Sequence, residues 1–521
     1  MKTQNILRVF PLCMLLILSA CSDDFLDIKP DGKIPSEEFF SDPKNAKSGI
    51  IGVYDLMQWN YGRDWNSAYF AKNLPADDCN AGSSESDQLG YQNIDDFKHQ
   101  VDNTVITAIW EGFYKTINAS NTIILALSKF ENPSAEIKQI IAEAKAIRAF
   151  NYFELVVMFG DVPFFTENAS SIADASLHQP RTAKATIYTQ IEKDLQDAIV
   201  DLPTKSEYTA AEKFRVSMGT AKAILGKVYL YQKKYAASHT VLGELINVDN
   251  AGYGLEPDFT NVWLKAGALG VESVFEICYT SQEGYDWGNF GWSGVSESNI
   301  HVQLMGPRDN LFKGVDKVGI RNGWGFNLPT KKIGDAFIAA GDQGARYKAT
   351  LMSAEELIAA GGTIDLANGT HDYEGYMRMK YTTRTSETNT SGSATPELNY
   401  ATNWRLIRWA DVLLLAAEAY NEDGKPGLGV IQINKVLFRA GLDQLDVNIS
   451  QADLRAAIIT ERQLELAFEG SRFWDLVRWD LADQELKSLG FVKGKHEVFP
   501  IPSTEIKTNN SIGEENQNAG Y

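Results

Sequence analysis

Apolar residues recur three and four positions apart over much of the chain, the spacing of helices that bury one face. In "TIYTQIEKDLQDAIVDLP", Ile187, Ile191, Leu195, Ala198, Ile199 and Leu202 share a face, and Pro203 ends the run. "AEIKQIIAEAKAIRAFNYFELVVMFGD" predicts a longer helix that stops at Gly160 with Pro163 beyond, mostly buried from Phe150 to Phe159.

Two further segments repeat one design. In "AILGKVYLYQKKYAASHTVLGELI", Leu225-Gly226 and Tyr229 precede a turn at Lys233-Lys234, then Ser238, Leu242 and Leu245 follow. Large, small and aromatic positions on one helix, with a small residue where the next crosses it, are the tetratricopeptide pattern. "ADVLLLAAEAYNEDGKPGLGVIQINKVLFRAG" repeats it with Ala417, Tyr420, a turn from Gly424 to Gly427, and Gly429. The predicted fold class is all-α, built on a helical-repeat scaffold. From about 251 to 403 the pattern lapses into Gly, Asn, Thr, Trp and Tyr, a loop-rich insertion far longer than an ordinary connection.

The amino terminus changes the picture. Lys2 and Arg8 precede an apolar run from Val9 to Ala20, too short to span a bilayer, and Leu18-Ser19-Ala20-Cys21 has the order of a bacterial lipobox. Residues 1–20 are read as a cleaved signal peptide and 21–521 as one domain, with Cys21 lipidated to anchor it in a membrane. The formal charge of −19 grows more negative once the leader is removed, and no basic run appears, so nucleic acid is not an expected partner. Beyond Cys13 and Cys21 only Cys79 and Cys278 remain, which form one bridge or stay as thiols. The six histidines give no metal-ligand spacing, no cofactor is expected, and the aspartates alone do not support a structural Ca²⁺ site.

Five segments in order, "CSDDFLD", "EAKAIRAFNYFELVVMFGDVPF", "RWADVLLLAAEAYN", "ERQLELAFEGSRFWDLVRW" and "VFPIPSTEI" with a closing "QNAGY", resemble the SusD/RagB glycan-binding lipoproteins of Bacteroidetes. Ala519 stands where that family's ending usually has proline. The resemblance implies four tetratricopeptide-like helix pairs and a loop-rich ligand-binding subdomain. It also implies an outer-membrane position facing the exterior and a SusC-like TonB-dependent transporter as partner.

Sugars present apolar C–H faces between hydroxyls, so their sites combine flat rings with polar rims. "YDWGNFGW" offers Tyr285, Trp287, Phe290 and Trp292, and "RNGWGFN" offers Arg321, Asn322, Trp324 and Phe326. Any one of these rings could plug a core; as a set they are expected to include an exposed platform. "ADDCNAGSSESDQLGYQ" supplies Asp77, Asp78, Asn80, Asp87 and Tyr91, and the resemblance favours Asp78, Asn80 and Tyr91 as ligand residues. Trp59 and Trp65 are assigned first to the core or to a transporter-facing surface. The candidate glycan-binding set is therefore Asp78, Asn80, Tyr91, Trp287, Trp292, Arg321 and Trp324.

Glu461, Glu465, Glu469, Arg472 and Asp475 lie three and four apart, which predicts ion pairs along a helix in preference to a catalytic cluster. The leading function is a non-enzymatic receptor for oligosaccharide. The alternatives are a lipid-anchored glycoside hydrolase, whose two carboxylates would flank a cleft, and the same receptor role for peptides or glycopeptides.

Overall fold

The computed structural model describes residues 39–40, 42, 44–62, 65–167, 179–291, 296–369 and 371–521. The leader, Cys21 and Trp292 lie outside the described residues. The chain divides into units Met1–Asn45 and Ala46–Tyr521. In the first, Phe39 and Phe40 meet edge to face at 5.0 Å.

The long helices are α1 (Lys44–Gly62), α2 (Thr104–Leu127), α3 (Ala135–Phe159), α4 (Lys184–Asp201), α5 (Met218–Tyr231), α6 (Tyr235–Asn247), α7 (Trp409–Glu422), α8 (Pro426–Ala440) and α9 (Gln451–Glu465). From α3 to α9 each packs on its predecessor, α6 reaching α7 directly although the inserted segment separates them in sequence. Side-chain caps start several of them: Asn103 accepts from Val105 and Ile106 N–H, and Ser134 from Ile137 N–H. Gly160 ends α3 at φ +76°, a conformation that favours glycine. As the periodicity predicts, α3 is buried from Phe150 to Val156 and again at Met158 and Phe159, and α4 turns Ile187, Ile191, Leu195 and Ala198 inward. The buried pair Arg148–Asp194 (2.7 Å) joins the two helices.

The repeat positions have physical causes. A Cβ on Gly226 would collide with Leu242, and the buried Ser238 donates its hydroxyl to the Gly226 carbonyl at 2.8 Å. A Cβ on Gly429 would lie 2.6 Å from the Ala417 carbonyl oxygen. Small residues therefore let α5 approach α6, and α7 approach α8.

The insertion is held at its root by β2 (Ser273–Ile277) and β4 (Trp404–Arg408), antiparallel with Ser273 opposite Arg408. Within it lie short helices and two-stranded ladders around a core of Leu311, Phe312, Val315, Ile320, Leu328, Leu357, Met377 and Met379. One ladder joins β1 (Cys79–Gly82), which precedes α2, to β3 (Phe326–Pro329). Cys79 and Cys278 are both free thiols, the first buried. Among the described residues no helix is long and apolar enough to cross a membrane.

Gly429→Ala is expected to lose about 1–3 kcal/mol by overpacking. Gly52→Ala, on α1 with nothing within 4 Å of the new methyl, should gain up to about 1 kcal/mol. Chemical denaturation of the two variants measures both; equal stabilities would contradict the close crossing.

Candidate functional site

The β1–β3 ladder builds the site. Its pairs are Cys79 with Pro329, Asn80 with Leu328 and Gly82 with Phe326. At Gly82, φ is +70° and a Cβ would strike the Gly325 carbonyl, so only glycine fits. The chain then turns, and Ser83 N–H donates to that carbonyl at 2.7 Å, docking the 83–88 loop beside Trp324.

Trp324 is fixed from both flanks. Its N–H donates to Gln303 O (3.0 Å), Gly323 N–H to Pro307 O (2.8 Å), and Gly325 N–H to Gly306 O (2.8 Å). A Cβ on Gly323 would lie 2.5 Å from the Gly306 Cα, so the two backbones touch. The Trp324 indole meets the Trp65 indole at 5.4 Å with planes tilted by 57°. Both rings are partly exposed. The Trp65 carbonyl accepts the Tyr91 hydroxyl, and Tyr91 stacks on Phe70 at 4.8 Å. Beside the rings, Arg308 Nη1 donates to Ser83 Oγ (2.5 Å) and lies 3.6 Å from the Asp87 carboxylate, while Ser83 Oγ donates to Asp87 at 2.8 Å. Arg321 and Asn322 precede Trp324 with accessible side chains. Beneath, burial pushes the His301 imidazole down to about 4, so it stays neutral at physiological pH.

A second aromatic segment lies on the 280–291 loop. Trp287 is 51% exposed at the tip of a turn in which Asp286 Oδ1 accepts from Gly288 N–H (2.8 Å) and Asn289 N–H (3.1 Å). Tyr285 and Phe290 meet edge to face at 5.5 Å, and Asn399 clamps Tyr285 through its N–H and C=O, both at 2.8 Å. The short helix Ile300–Met305 follows this loop and supplies the Gln303 carbonyl that holds Trp324.

The structure thus brings Trp324, Arg321, Trp65, Ser83, Asp87 and Arg308 to one face and places Trp287 on an adjoining loop. It corrects two of the sequence assignments. Asp78 is 2% exposed and accepts from Phe468 N–H at 3.1 Å, and Tyr91 is fully buried. Neither reaches a ligand; Tyr91 positions Trp65 instead. Asn80 is partly exposed, but its amide is engaged by Asp372 O (3.0 Å) and Glu374 Oε1 (2.9 Å). Sequence reasoning missed Trp65, Ser83 and Arg308. The polar Asn66-Ser67 pair after Trp65 was the available signal that it leaves the core.

The acidic motif near the carboxyl end is structural, with partners other than those the spacing predicts. It is a helix, a turn and a helix: α9 ends at Glu465, Phe468 (φ +63°) and Gly470 (φ +76°) turn the chain, and α10 (Arg472–Arg478) begins. Arg472 binds Asp77 through Nε (2.7 Å) and Nη2 (2.9 Å), not Glu469 or Asp475. Glu469 binds Arg408 (2.7 Å) and Lys380 (2.8 Å), and Asp475 binds Arg462 (2.7 Å) and Arg478 (2.8 Å). Burial alone would raise the Glu465 carboxyl, but Arg439, Arg408 and Arg346 hold it well below the usual range. Burial lowers the Lys380 ammonium to about 8. Among the described residues no group of three or more His, Cys, Asp or Glu side chains could hold a metal ion.

A helical-repeat scaffold whose inserted segment meets the 65–88 segment at a pair of tilted indoles with a polar rim defines a class of binding protein. The comparisons with known proteins agree. The family model described as "SusD family" matches residues 272–490, and "Starch-binding associating with outer membrane" matches 24–230. A solved "Laminarin binding SusD-like protein" is 32% identical, with a TM-score of 0.81 over 92% of this chain and 99% of that one. "Surface glycan-binding protein A from Bacteroides thetaiotaomicron in complex with laminarihexaose" has a TM-score of 0.76 at 23% identity, covering 91% and 99% of the two chains. "SusD-like protein P25" of Formosa agariphila is 26% identical over the full length of both chains. The chain belongs to the SusD family.

Arg472→Ala leaves the buried Asp77 with Lys332 alone. Burial favours a raised Asp77 carboxyl, yet Arg472 and Lys332 hold it below its ordinary value. Its contribution to stability is therefore present above about pH 4 and is lost as pH falls through the folded value. With the guanidinium gone burial prevails, so a penalty of ~3 kcal/mol at neutral pH should shrink on acidification. Thermal unfolding of both proteins at about pH 4.5 and about pH 7.5 measures the two gaps; a gap independent of pH contradicts the pairing.

Proposed function

We propose that this protein is a non-enzymatic glycan receptor, anchored through lipid on Cys21 to the exterior of the outer membrane, that passes oligosaccharide to a SusC-like TonB-dependent transporter. The observation that carries the reading is the Trp65–Trp324 pair, two partly exposed indoles 5.4 Å apart on a rigid backbone seat. Rings at 57° present two apolar faces that follow a bent sugar chain better than one plane does. Arg308, Arg321, Asn322 and Asp87 rim them with donors and acceptors suited to hydroxyls. Trp287 extends the aromatic surface along the neighbouring loop, and Asn80 borders it; Trp292 remains a candidate ligand residue. Binding needs no ligand chemistry from the protein beyond stacking and hydrogen bonds.

The relative at 32% identity is named as a laminarin binder, which makes laminarin the first glycan to test and its β-glucan chemistry the proposed ligand class. Trp65→Ala and Trp324→Ala are each expected to weaken laminarin binding about ten- to a hundredfold with unchanged melting, as loss of one stacked ring requires. Calorimetric titration reads the affinity, and chromatography of the incubated glycan reads its chain length. Shortened chains would establish the hydrolase reading, and binding unaffected by both substitutions would place the platform elsewhere. Cys21→Ala should abolish fatty-acid labelling and surface exposure of the protein in cells; unchanged labelling would refute the anchor.

A further inference from the structure

A cavity of about 290 Å³ lies next to the indole pair, lined by Asn66, Asp102, Thr104, Thr107, Ala108, Glu111, Ser503 and Thr504. Its lining sets polar groups on apolar stems: three threonines, a serine and an asparagine lie around Ala108, their hydroxyls and amide set among methyl groups, with carboxylates at Asp102 and Glu111. Two connections place it beside the indoles. Asn66 follows Trp65 directly in the chain. Gly90, in the short helix Leu89–Asp95 that follows the 83–88 loop, packs behind the wall, where its Cβ position lies 3.4 Å from Thr104 Oγ1 and Asn103 Nδ2 donates to its carbonyl at 2.9 Å. The segment from Ser83 to Gly90 thus runs from the indole pair to the back of the cavity wall. The opposite wall comes from the carboxyl-terminal segment, pinned by Ser503 N–H to Val101 O at 2.7 Å and by Trp110 Nε1 to Glu505 at 3.3 Å. The walls therefore belong to α2 and to a segment hydrogen-bonded to its approach, so the cavity is rigid.

We propose that this cleft is a second sugar subsite, which takes the hydroxylated units of a neutral oligosaccharide extending beyond the stretch stacked on Trp65 and Trp324. Hydroxyl and amide side chains both donate and accept, as sugar hydroxyls do, while Asp102 and Glu111 accept from hydroxyls and repel sulfate or uronate groups. The absence of a large ring among the lining residues assigns the cleft hydrogen bonding, and leaves stacking to the indoles. Its consequence is a preference for longer chains: units that reach the cleft add hydrogen bonds that a short oligosaccharide on the indoles cannot make. Two such bonds amount to about tenfold in affinity.

The proposal rests on the glycan-receptor reading, and the test separates the two. Laminaritriose and laminarihexaose are titrated into the wild type, Trp324→Ala, Ala108→Trp, which fills the cleft, and Thr107→Val, which removes a hydroxyl at constant shape. The wild type should bind the hexaose about tenfold more tightly than the triose. Ala108→Trp should bring the hexaose down to the triose affinity and leave the triose unchanged, with Thr107→Val intermediate and melting as in the wild type. Hexaose affinity unaltered in both cleft variants, while Trp324→Ala loses both sugars, overturns the subsite alone. No binding of either sugar by the wild type overturns the subsite together with the β-glucan assignment. Should Ala108→Trp fail to fold, Thr107→Val alone decides: wild-type hexaose affinity refutes the subsite.

Discussion

The architecture depends on a buried net of opposite charges that joins the insertion to the scaffold. Arg408, at the junction of β4 and α7, binds Glu272 (2.7 Å), Glu465 (2.5 Å) and Glu469 (2.7 Å). Arg439, in the last turn of α8, binds Glu272 and Glu465, while Arg346 of the insertion binds Asp342, Glu461 and Glu465. Lys380 completes the net through Glu469 and the carbonyls of Glu465 and Ala467. Charges so deeply removed from water are tolerated only when each is paired and hydrogen-bonded, so every partner must be in place at once. Hydrophobic packing of Ile333, Phe337, Tyr347 and Leu351 on Leu464 and Phe468 also holds the insertion to the scaffold, and the net adds the directional pairing that fixes its position.

The effect reaches the ligand face through a short path. The turn after Glu465 presents Phe468 N–H to Asp78 and its carbonyl to Arg378, and Arg378 also donates to Asn327 O at 3.1 Å. Asp78 adjoins and Asn327 lies within the ladder whose end carries Gly82 and, across from it, the approach to Trp324. The residues that look most chemical in the sequence are thus the foundation beneath the partly exposed indoles. This division also explains why perturbed titration in this protein marks structure: the shifted carboxylates and Lys380 face each other in the interior.

Local order was legible in the sequence and long-range pairing was not. Gly226, Ser238 and Gly429 announced close helix crossings because the constraint on them is steric and spans one turn. The same reading paired Arg472 with Glu469 and Asp475, since periodicity knows only neighbours along a helix; Phe468 and Gly470 break that helix, and Arg472 finds Asp77 some 395 positions away. Asp78 and Tyr91 had the right composition for a sugar site but are buried, and Trp65 meets Trp324 from a segment read as core. The partial exposure expected of Trp324 was legible because the glycines around it are required where two backbones touch, a requirement that leaves a mark in sequence. The resemblance to a family supplied the number of helix pairs, which degenerate repeats alone could not.

The direct packing of α6 on α7 has a consequence for how such a face changes over time. The polypeptide leaves the scaffold and returns to it at adjoining points, and the β2–β4 stem closes the gap. Lengthening or shortening what lies beyond the stem alters the closure entropy only logarithmically and leaves the helix contacts as they are. The inserted face is in that sense an exchangeable cassette. Ligand preference can drift through replacement of loops that carry no member of the ion net while the helical frame stays constant.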